Sequence, residues 1–282
     1  MTETVTVRGA KIRAQVSGDP AHPPVLMLHG IGRSLEDWTP QHERLSGEYR
    51  MISVDMPGFG LSDRLPEPVT LESLAAGVEQ TVAALGEDRP LHLMGNSLGG
   101  AVAMRMLTRA PDRVLTLTLV NSAGFGKEVA AFLRVLAVPG LGRRLMRRYD
   151  RGAARRVERA LFVDRGLITD ERVDFGLRVA ARPEYAAVFL EAAKSVGGLR
   201  GVRAAWRTAL LAEVARHPRP TLLVWGDRDL ILPAKHLAAA RAAFPEARWK
   251  LFADCGHMPQ IERADEFAAL ARRFLDGSLQ PG

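Results

Sequence analysis

Ser97 stands in Gly95-Asn96-Ser97-Leu98-Gly99, between the apolar run Leu91-His92-Leu93-Met94 and the helix-forming Gly100-Ala101-Val102-Ala103-Met104. A serine with glycines two places away on either side, at a strand-to-helix junction, fits a turn too tight for larger neighbours. The hydroxyl then projects above the strand, and a helix beginning at Leu98 aims its first N–H groups at any oxyanion that develops there. A serine hydroxyl is a poor nucleophile at neutral pH and needs an adjacent base. His257, in Asp254-Cys255-Gly256-His257-Met258-Pro259 after the apolar run Trp249-Lys250-Leu251-Phe252, is the natural candidate. A carboxylate must hold its imidazole in one tautomer and stabilise the imidazolium formed during attack. Asp227 and Asp229, in the loop after Thr221-Leu222-Leu223-Val224-Trp225, are both available. Such a set performs acyl transfer through serine, with a rate that rises as the histidine loses its proton.

The other polar candidates read as structural. His29 orients the loop after Val25-Leu26-Met27-Leu28, and His92 lies inside a strand. His22, His42, His217 and His236 have no spacing that makes a metal site, and no Cys/His pattern of the zinc kind occurs. Neither a metal nor another cofactor is expected. Cys255 lacks a nucleophile's turn and reads as a small packed residue.

Apolar periodicity supplies the scaffold. Thr4 to Arg8 and Lys11 to Val16 form a hairpin around Gly9-Ala10. Strands are expected at Val25–Leu28, Arg50–Asp55, Leu91–Gly95, Leu115–Val120, Thr221–Trp225 and Trp249–Phe252. Helices are expected at Leu35–Leu45, Leu71–Leu85, Leu98–Ala110, Ala234–Ala243 and Ile261–Leu275. Their alternation predicts an α/β fold, a mostly parallel sheet with helices on both faces. From Lys127 to about Glu213 the alternation stops. Only helical stretches follow there, separated at Pro139-Gly140, Arg182-Pro183 and Gly197-Gly198.

The 282 residues and 47% apolar content suit one large domain with an inserted subdomain. A single cysteine excludes a disulfide within the chain. Met1 to Gly18 lacks the apolar run of a signal peptide, and no stretch approaches the length of a membrane span. A soluble, cytoplasmic enzyme is expected. The net charge of +7 is unevenly placed. Residues 127–219 carry 20 Lys and Arg against 10 Asp and Glu, and the remainder carries 19 against 22. Arg144, Arg148, Arg151, Arg155 and Arg159 recur at helical spacing and are expected on one face of one helix. Such a patch attracts an anionic partner: a carboxylate-bearing substrate, an acidic carrier or a membrane surface. Nucleic acid is not expected, since no recognition motif accompanies it.

Five motifs together resemble the α/β-hydrolase family: His29-Gly30-Ile31-Gly32 after an early strand, Asp55-Met56-Pro57-Gly58-Phe59-Gly60-Leu61-Ser62-Asp63, Gly95 to Gly100, Gly226-Asp227-Arg228-Asp229 with Pro233, and Cys255-Gly256-His257. The resemblance spans residues 24–126 and 218–275. It implies a catalytic triad of Ser97, Asp229 and His257, Asp229 because the family's acid lies four residues before the proline. It also implies an oxyanion hole from the backbone N–H groups of Ile31 and Leu98. The implied organisation is an α/β core in two parts, 1–126 and 214–282, with a helical cap over 127–213.

Asn96 before the serine, and the stretch Cys255 to Phe267, are similar to hydrolases that split carbon–carbon bonds in ring-cleavage products. Met258 stands where those enzymes carry Trp, and Ala181 where they carry a cap arginine, with Arg178 and Arg182 nearby. Candidate pocket residues are therefore His29, Asn96, Phe125, Phe132, Phe162, Arg178, Arg182, Trp206 and Met258. The expected activity is hydrolysis of a carboxylic ester or lactone with an apolar body through an acyl-enzyme on Ser97. The alternatives are carbon–carbon bond hydrolysis and a ligand-binding member of the fold without turnover. The expected partner is a small-molecule substrate, anionic if the arginines steer it.

Overall fold

The computed structural model describes residues 2–138 and 140–279. Its strands are β1 (Thr2–Val7), β2 (Ala10–Ser17), β3 (Pro24–Leu28), β4 (Arg50–Val54), β5 (Leu91–Asn96), β6 (Val114–Val120), β7 (Gly197–Gly198), β8 (Gly201–Val202), β9 (Thr221–Gly226) and β10 (Arg248–Phe252). All except β7 and β8 join one sheet in the order β1-β2-β4-β3-β5-β6-β9-β10. The β1–β2 hairpin is antiparallel and β2 meets β4 antiparallel. From β4 to β10 every neighbouring pair is parallel. The chain is a mostly parallel α/β fold.

Alternate residues of the central strands bury into two separate cores, as a pleat requires. Leu26, Leu28, Leu93 and Leu223 face one way, against α2 (Leu71–Ala84) and α3 (Leu98–Arg109). Val25, Met27, Met94 and Val224 face the other, against Trp38 and α12 (Ala264–Leu275). Strands buried on both faces read as unbroken apolar runs, which is why they were legible. The chain goes one way from β3 to β4 and the other way from β5 to β6. Loops after β3 and β5 therefore meet at the reversal, where open α/β sheets bind ligands.

Two expected helices are broken. The first opens with a 3-10 turn, Leu35–Trp38, before α1 (Thr39–Leu45), whose Pro40 sits in the first turn where its missing N–H costs nothing. The last is split into α11 (Pro259–Glu262) and α12 at Arg263, which has non-helical φ and ψ. The helix expected from Ala234 begins two residues later, as α10 (His236–Ala243).

Between β6 and β9 lie α4 (Ala131–Leu136), α5 (Leu141–Met146), α6 (Arg151–Leu161), α7 (Asp170–Ala180), α8 (Tyr185–Val196) and α9 (Ala204–Val214). None of the described residues of this insertion adds a strand to the main sheet. It is not strand-free, however, because Gly197-Gly198 pairs with Gly201-Val202 as a two-residue ladder. Pro139 lies outside the described residues. The single arginine-faced helix does not form. The chain leaves helix after Met146, and Asp150 caps a new one, its Oδ1 accepting from Ala153 N–H at 2.7 Å. Arg151 and Arg155 then pair with Asp170 and Asp174 of α7. Arg144 stays on α5 and Arg148 falls in the turn after it. No helix among the described residues is long and apolar enough to cross a membrane.

His42 ties α1 to β2 and β4, its Nδ1 2.7 Å from Ser17 Oγ and its Nε2 2.9 Å from Ser53 Oγ. His92 bridges β5 to β6 through Thr116 Oγ1 at 2.9 Å. Burial lowers both imidazoles to about 4 from the usual 6.5. The unfolded chain binds protons below about pH 6.5 that the folded chain refuses until about pH 4. Stability is therefore complete above that window and falls through it by up to about 1.4 kcal/mol per pH unit for each histidine. Urea midpoints between pH 7.5 and pH 4.5 should show this loss, and His92→Gln should remove about one proton's worth of the slope. An unchanged slope contradicts the assignment.

Candidate active site

The turn after β5 is forced. Ser97 has φ 55° and ψ −117°, a conformation side chains avoid. A Cβ at Gly95 would collide with the backbone of Gly99 and Gly100, and one at Gly99 with the carbonyls of Leu28 and His29. Only glycine fits either place. Ser97 N–H donates to Val120 O at 3.0 Å, and Ser97 O accepts from Ala123 N–H at 3.0 Å. Leu98 opens α3, so its N–H belongs to the first turn, which has no intrahelical partner.

The two expected partners meet at this end of the sheet. His257 Nδ1 lies 2.7 Å from Asp229 Oδ2, and both side chains are buried. Asp229 is held on every side. Oδ1 accepts from Ile231 N–H at 2.7 Å and Leu232 N–H at 3.0 Å, while Oδ2 also accepts from Asn121 Nδ2 at 2.6 Å. An acceptor-only carboxylate so filled fixes His257 with its proton on Nδ1 and leaves Nε2 as the basic nitrogen. Asp227 instead accepts from Cys255 N–H at 3.2 Å, a backbone group of the loop after β10. Burial pushes the Cys255 thiol well above its usual range, so it stays protonated. His257 N–H donates to Leu161 O at 2.7 Å, and Glu262 accepts from both Gly256 N–H and Asp164 N–H at 2.6 Å. The histidine loop is thereby tied to the end of α6.

The loop after β3 is also pinned. His29 Nε2 accepts from Met56 N–H at 3.0 Å, so the ring proton is on Nδ1, 2.7 Å from Gly30 O. Burial lowers its pKa, which keeps the ring neutral. Asp55 accepts from Leu35 N–H at 2.8 Å and from Arg13 Nε at 2.7 Å. Arg33 ends the loop and donates to Asp37 through Nε and Nη2 at 2.9 and 2.7 Å, and to Glu158 of α6 at 2.6 Å. Arg172 of α7 closes the set, 3.0 Å from Glu158. Burial opposes ionisation of Asp37 and Glu158, but Arg33 and Arg172 hold both carboxyls below their usual range.

Ser97, His257, Ile31, Asn96 and Met258 line a cavity of about 620 Å³ beneath α4–α8. Its walls are mostly apolar, including Leu133, Leu136, Met146, Val157 and Phe189, with Phe132 at the side. Tyr149 and Tyr185 also reach it, and burial raises the Tyr185 hydroxyl far above its usual range.

Six expected pocket residues fall elsewhere. His29 is fully buried against Phe59 and acts on the loop backbone. Phe125 packs on Trp225 and Phe244 in the core. Phe162 lies under the Arg172 guanidinium, 4.9 Å away. Trp206 donates to Val196 O at 2.7 Å. Arg178 stacks on Phe175, and Arg182 grips Gly60 O and Ser62 O. Each satisfies a packing or hydrogen-bonding demand that linear spacing does not reveal. Asn121, Arg33, Glu158, Glu262, Tyr149 and Tyr185 also serve this region and lie outside the residues singled out from the sequence. Two had a signal: Asn121 is a polar residue at the carboxyl end of an apolar strand, and Glu158 is the one acid within an arginine-rich helix.

Residues 23–264 match the alpha/beta hydrolase fold, and the chain belongs to that family of enzymes. It is 32% identical over 273 residues to the dihydrolipoyllysine-residue acetyltransferase component of the acetoin cleaving system of Cupriavidus necator, across 96% of this chain and 68% of that protein. It is 31% identical over 278 residues to 2-hydroxymuconate semialdehyde hydrolase of Pseudomonas sp. strain CF600, across 94% of this chain and 91% of that one. Among solved structures it is similar to a membrane phospholipase A described as a bacterial virulence factor. That superposition has a TM-score of 0.80 at 26% identity, and covers 99% of this chain and 86% of the other.

Glu158 is buried against two partly exposed guanidinium groups, Arg33 and Arg172, so Glu158→Gln should cost about 2 kcal/mol of stability by leaving them with Asp37 alone. Arg159→Gln, on the exposed side of the same helix, should cost under about 0.5 kcal/mol. Equal urea midpoints for the two variants contradict a structural role for the Arg33–Asp37–Glu158–Arg172 set.

Proposed function

We propose that the chain is a serine hydrolase that cleaves a carboxylic ester or lactone with an apolar body. The 2.7 Å bond between Asp229 and His257, beside Ser97 in a largely apolar cavity, is the observation that carries this reading. His257 Nε2 takes the Ser97 proton as Oγ attacks the carbonyl carbon. The resulting oxyanion is met by the N–H groups of Ile31 and Leu98, and Asp229 stabilises the imidazolium. The intermediate collapses to an acyl-enzyme, and His257 passes its proton to the leaving alcohol. Water, activated by the same imidazole, then releases the acid. Residues 127–213 act as the cap that closes this site, between the two core parts 1–126 and 214–282. Walls that are mostly apolar suit an apolar acyl or alkoxy body.

Carbon–carbon bond hydrolysis is the second reading, because a relative named 2-hydroxymuconate semialdehyde hydrolase matches nearly end to end. There the attacked carbonyl is a ketone and the leaving group a stabilised carbanion. A panel of p-nitrophenyl esters run beside a ring-cleavage dienoic acid separates the two.

A fluorophosphonate should label the protein at Ser97, and Ser97→Ala should take up none; an unlabelled wild-type protein points to a binder without turnover. Asp229→Asn should keep the fold and lower kcat by roughly 10³ to 10⁴, since the amide favours the wrong tautomer. Asp227→Asn should cost less than about tenfold, because its partner is a loop N–H. Reversal of those two effects contradicts the assignment of the acid.

A further inference from the structure

We propose that the face around the cavity mouth, built by α4, α5, the β7–β8 turn and the loop after β9, docks onto a lipid surface bearing anionic headgroups. Five of the chain's large apolar side chains stay exposed here. They are Phe132 at 37%, Leu141 at 42%, Leu145 at 43%, Leu199 at 59% and Leu230 at 64%. They are neighbours in space as well as in type. Arg134 of α4 donates to Leu199 O at 2.8 Å, and Ala130 N–H donates to Ile231 O at 2.9 Å, next to Leu230. Leu141 and Leu145 are one turn apart on α5, and Phe132, Leu145 and Arg148 line one cavity.

Charge points to the kind of surface. Residues 131–149 hold Arg134, Arg143, Arg144, Arg147 and Arg148 and no acidic residue. Arg151 and Arg155, a few residues on, are answered by Asp170 and Asp174. Among the described residues no ion pair engages Arg143, Arg144, Arg147 or Arg148. Unanswered arginines interleaved with exposed leucines and a phenylalanine combine the two signals that stable interfacial binding needs, apolar insertion and attraction to anionic lipid. A protein partner of acidic character would use the arginines but leave the five apolar groups without a purpose. A small anionic substrate would use neither Leu141 nor Leu199. Apposed to a bilayer, the mouth admits an amphiphile without passage through water. That consequence rests on the hydrolase reading, whereas the docking does not.

The test uses the full chain with Ser97→Ala, so that vesicles stay intact whatever the enzyme hydrolyses. Sedimentation should show binding to vesicles of phosphatidylcholine with phosphatidylglycerol, at least roughly tenfold tighter than to phosphatidylcholine alone, and weakening with added salt. Neutralising Arg143, Arg144, Arg147 and Arg148 to Gln should abolish the phosphatidylglycerol preference. Leu141→Ser with Leu145→Ser should weaken binding to the anionic vesicles while salt sensitivity remains. Melting curves keep loss of fold distinct from loss of docking. Absence of binding at low salt overturns the proposal, as does unchanged binding by the folded arginine variant. Capture by polyglutamate beads without binding to vesicles also overturns it, in favour of an acidic protein.

Discussion

A serine backbone at φ 55° and ψ −117° costs on the order of 1–3 kcal/mol and persists only where its surroundings leave it no alternative. Here they leave none. Ser97 is bonded through its N–H to Val120 at the end of β6 and through its C=O to Ala123 three residues beyond. The carbonyls at the end of β3 press so close that only glycine fits at position 99. β5 must therefore lie between β3 and β6, and the sheet order supplies that arrangement. The same order sets the His29–Arg33 loop beside the serine and brings the ends of β6 and β9 together, so that Asn121 reaches Asp229.

The insertion is joined to this end of the sheet by polar contacts and not by apolar packing alone. Glu158 and Arg172 complete the charge of Arg33 and Asp37 at the end of the β3 loop. Leu161 O receives the backbone N–H of His257, and Asp164 shares Glu262 with Gly256. Two buried carboxylates with two partly buried guanidinium groups are a poor source of net stability, since desolvation consumes much of the attraction. What they fix is registry: α6 and α7 meet the loops that carry Ile31 and His257 in one geometry only. A shift of either helix would leave a buried charge unpaired.

The core was legible because its signals are local. Strands buried on both faces are unbroken apolar runs, and a tight turn demands glycine at set places, so β3, β5, β6 and β9 and the Ser97 turn could be read directly. Asp229 could be separated from Asp227 only through the resemblance to a family. In the structure the difference is which carboxylate meets the imidazole and which turns back to Cys255 N–H. The insertion was opaque for a physical reason. Short helices that pack on one another fix their directions by contacts far apart in sequence, so Phe162, Arg178, Arg182 and Trp206 could be placed near the site by proximity but not oriented. The arginine series shows the same limit, because a helical spacing carries no notice that Asp150 restarts the helix.

Whether Ser97 becomes acylated decides the matter most directly. The protein can be mixed with a p-nitrophenyl ester, quenched in acid during the first turnover, digested and read by mass spectrometry. An acyl group on the peptide that carries Ser97, formed as fast as p-nitrophenol is released and absent in Ser97→Ala, is the predicted result. Turnover with no acylated peptide, or with the acyl group on Cys255, would contradict the account.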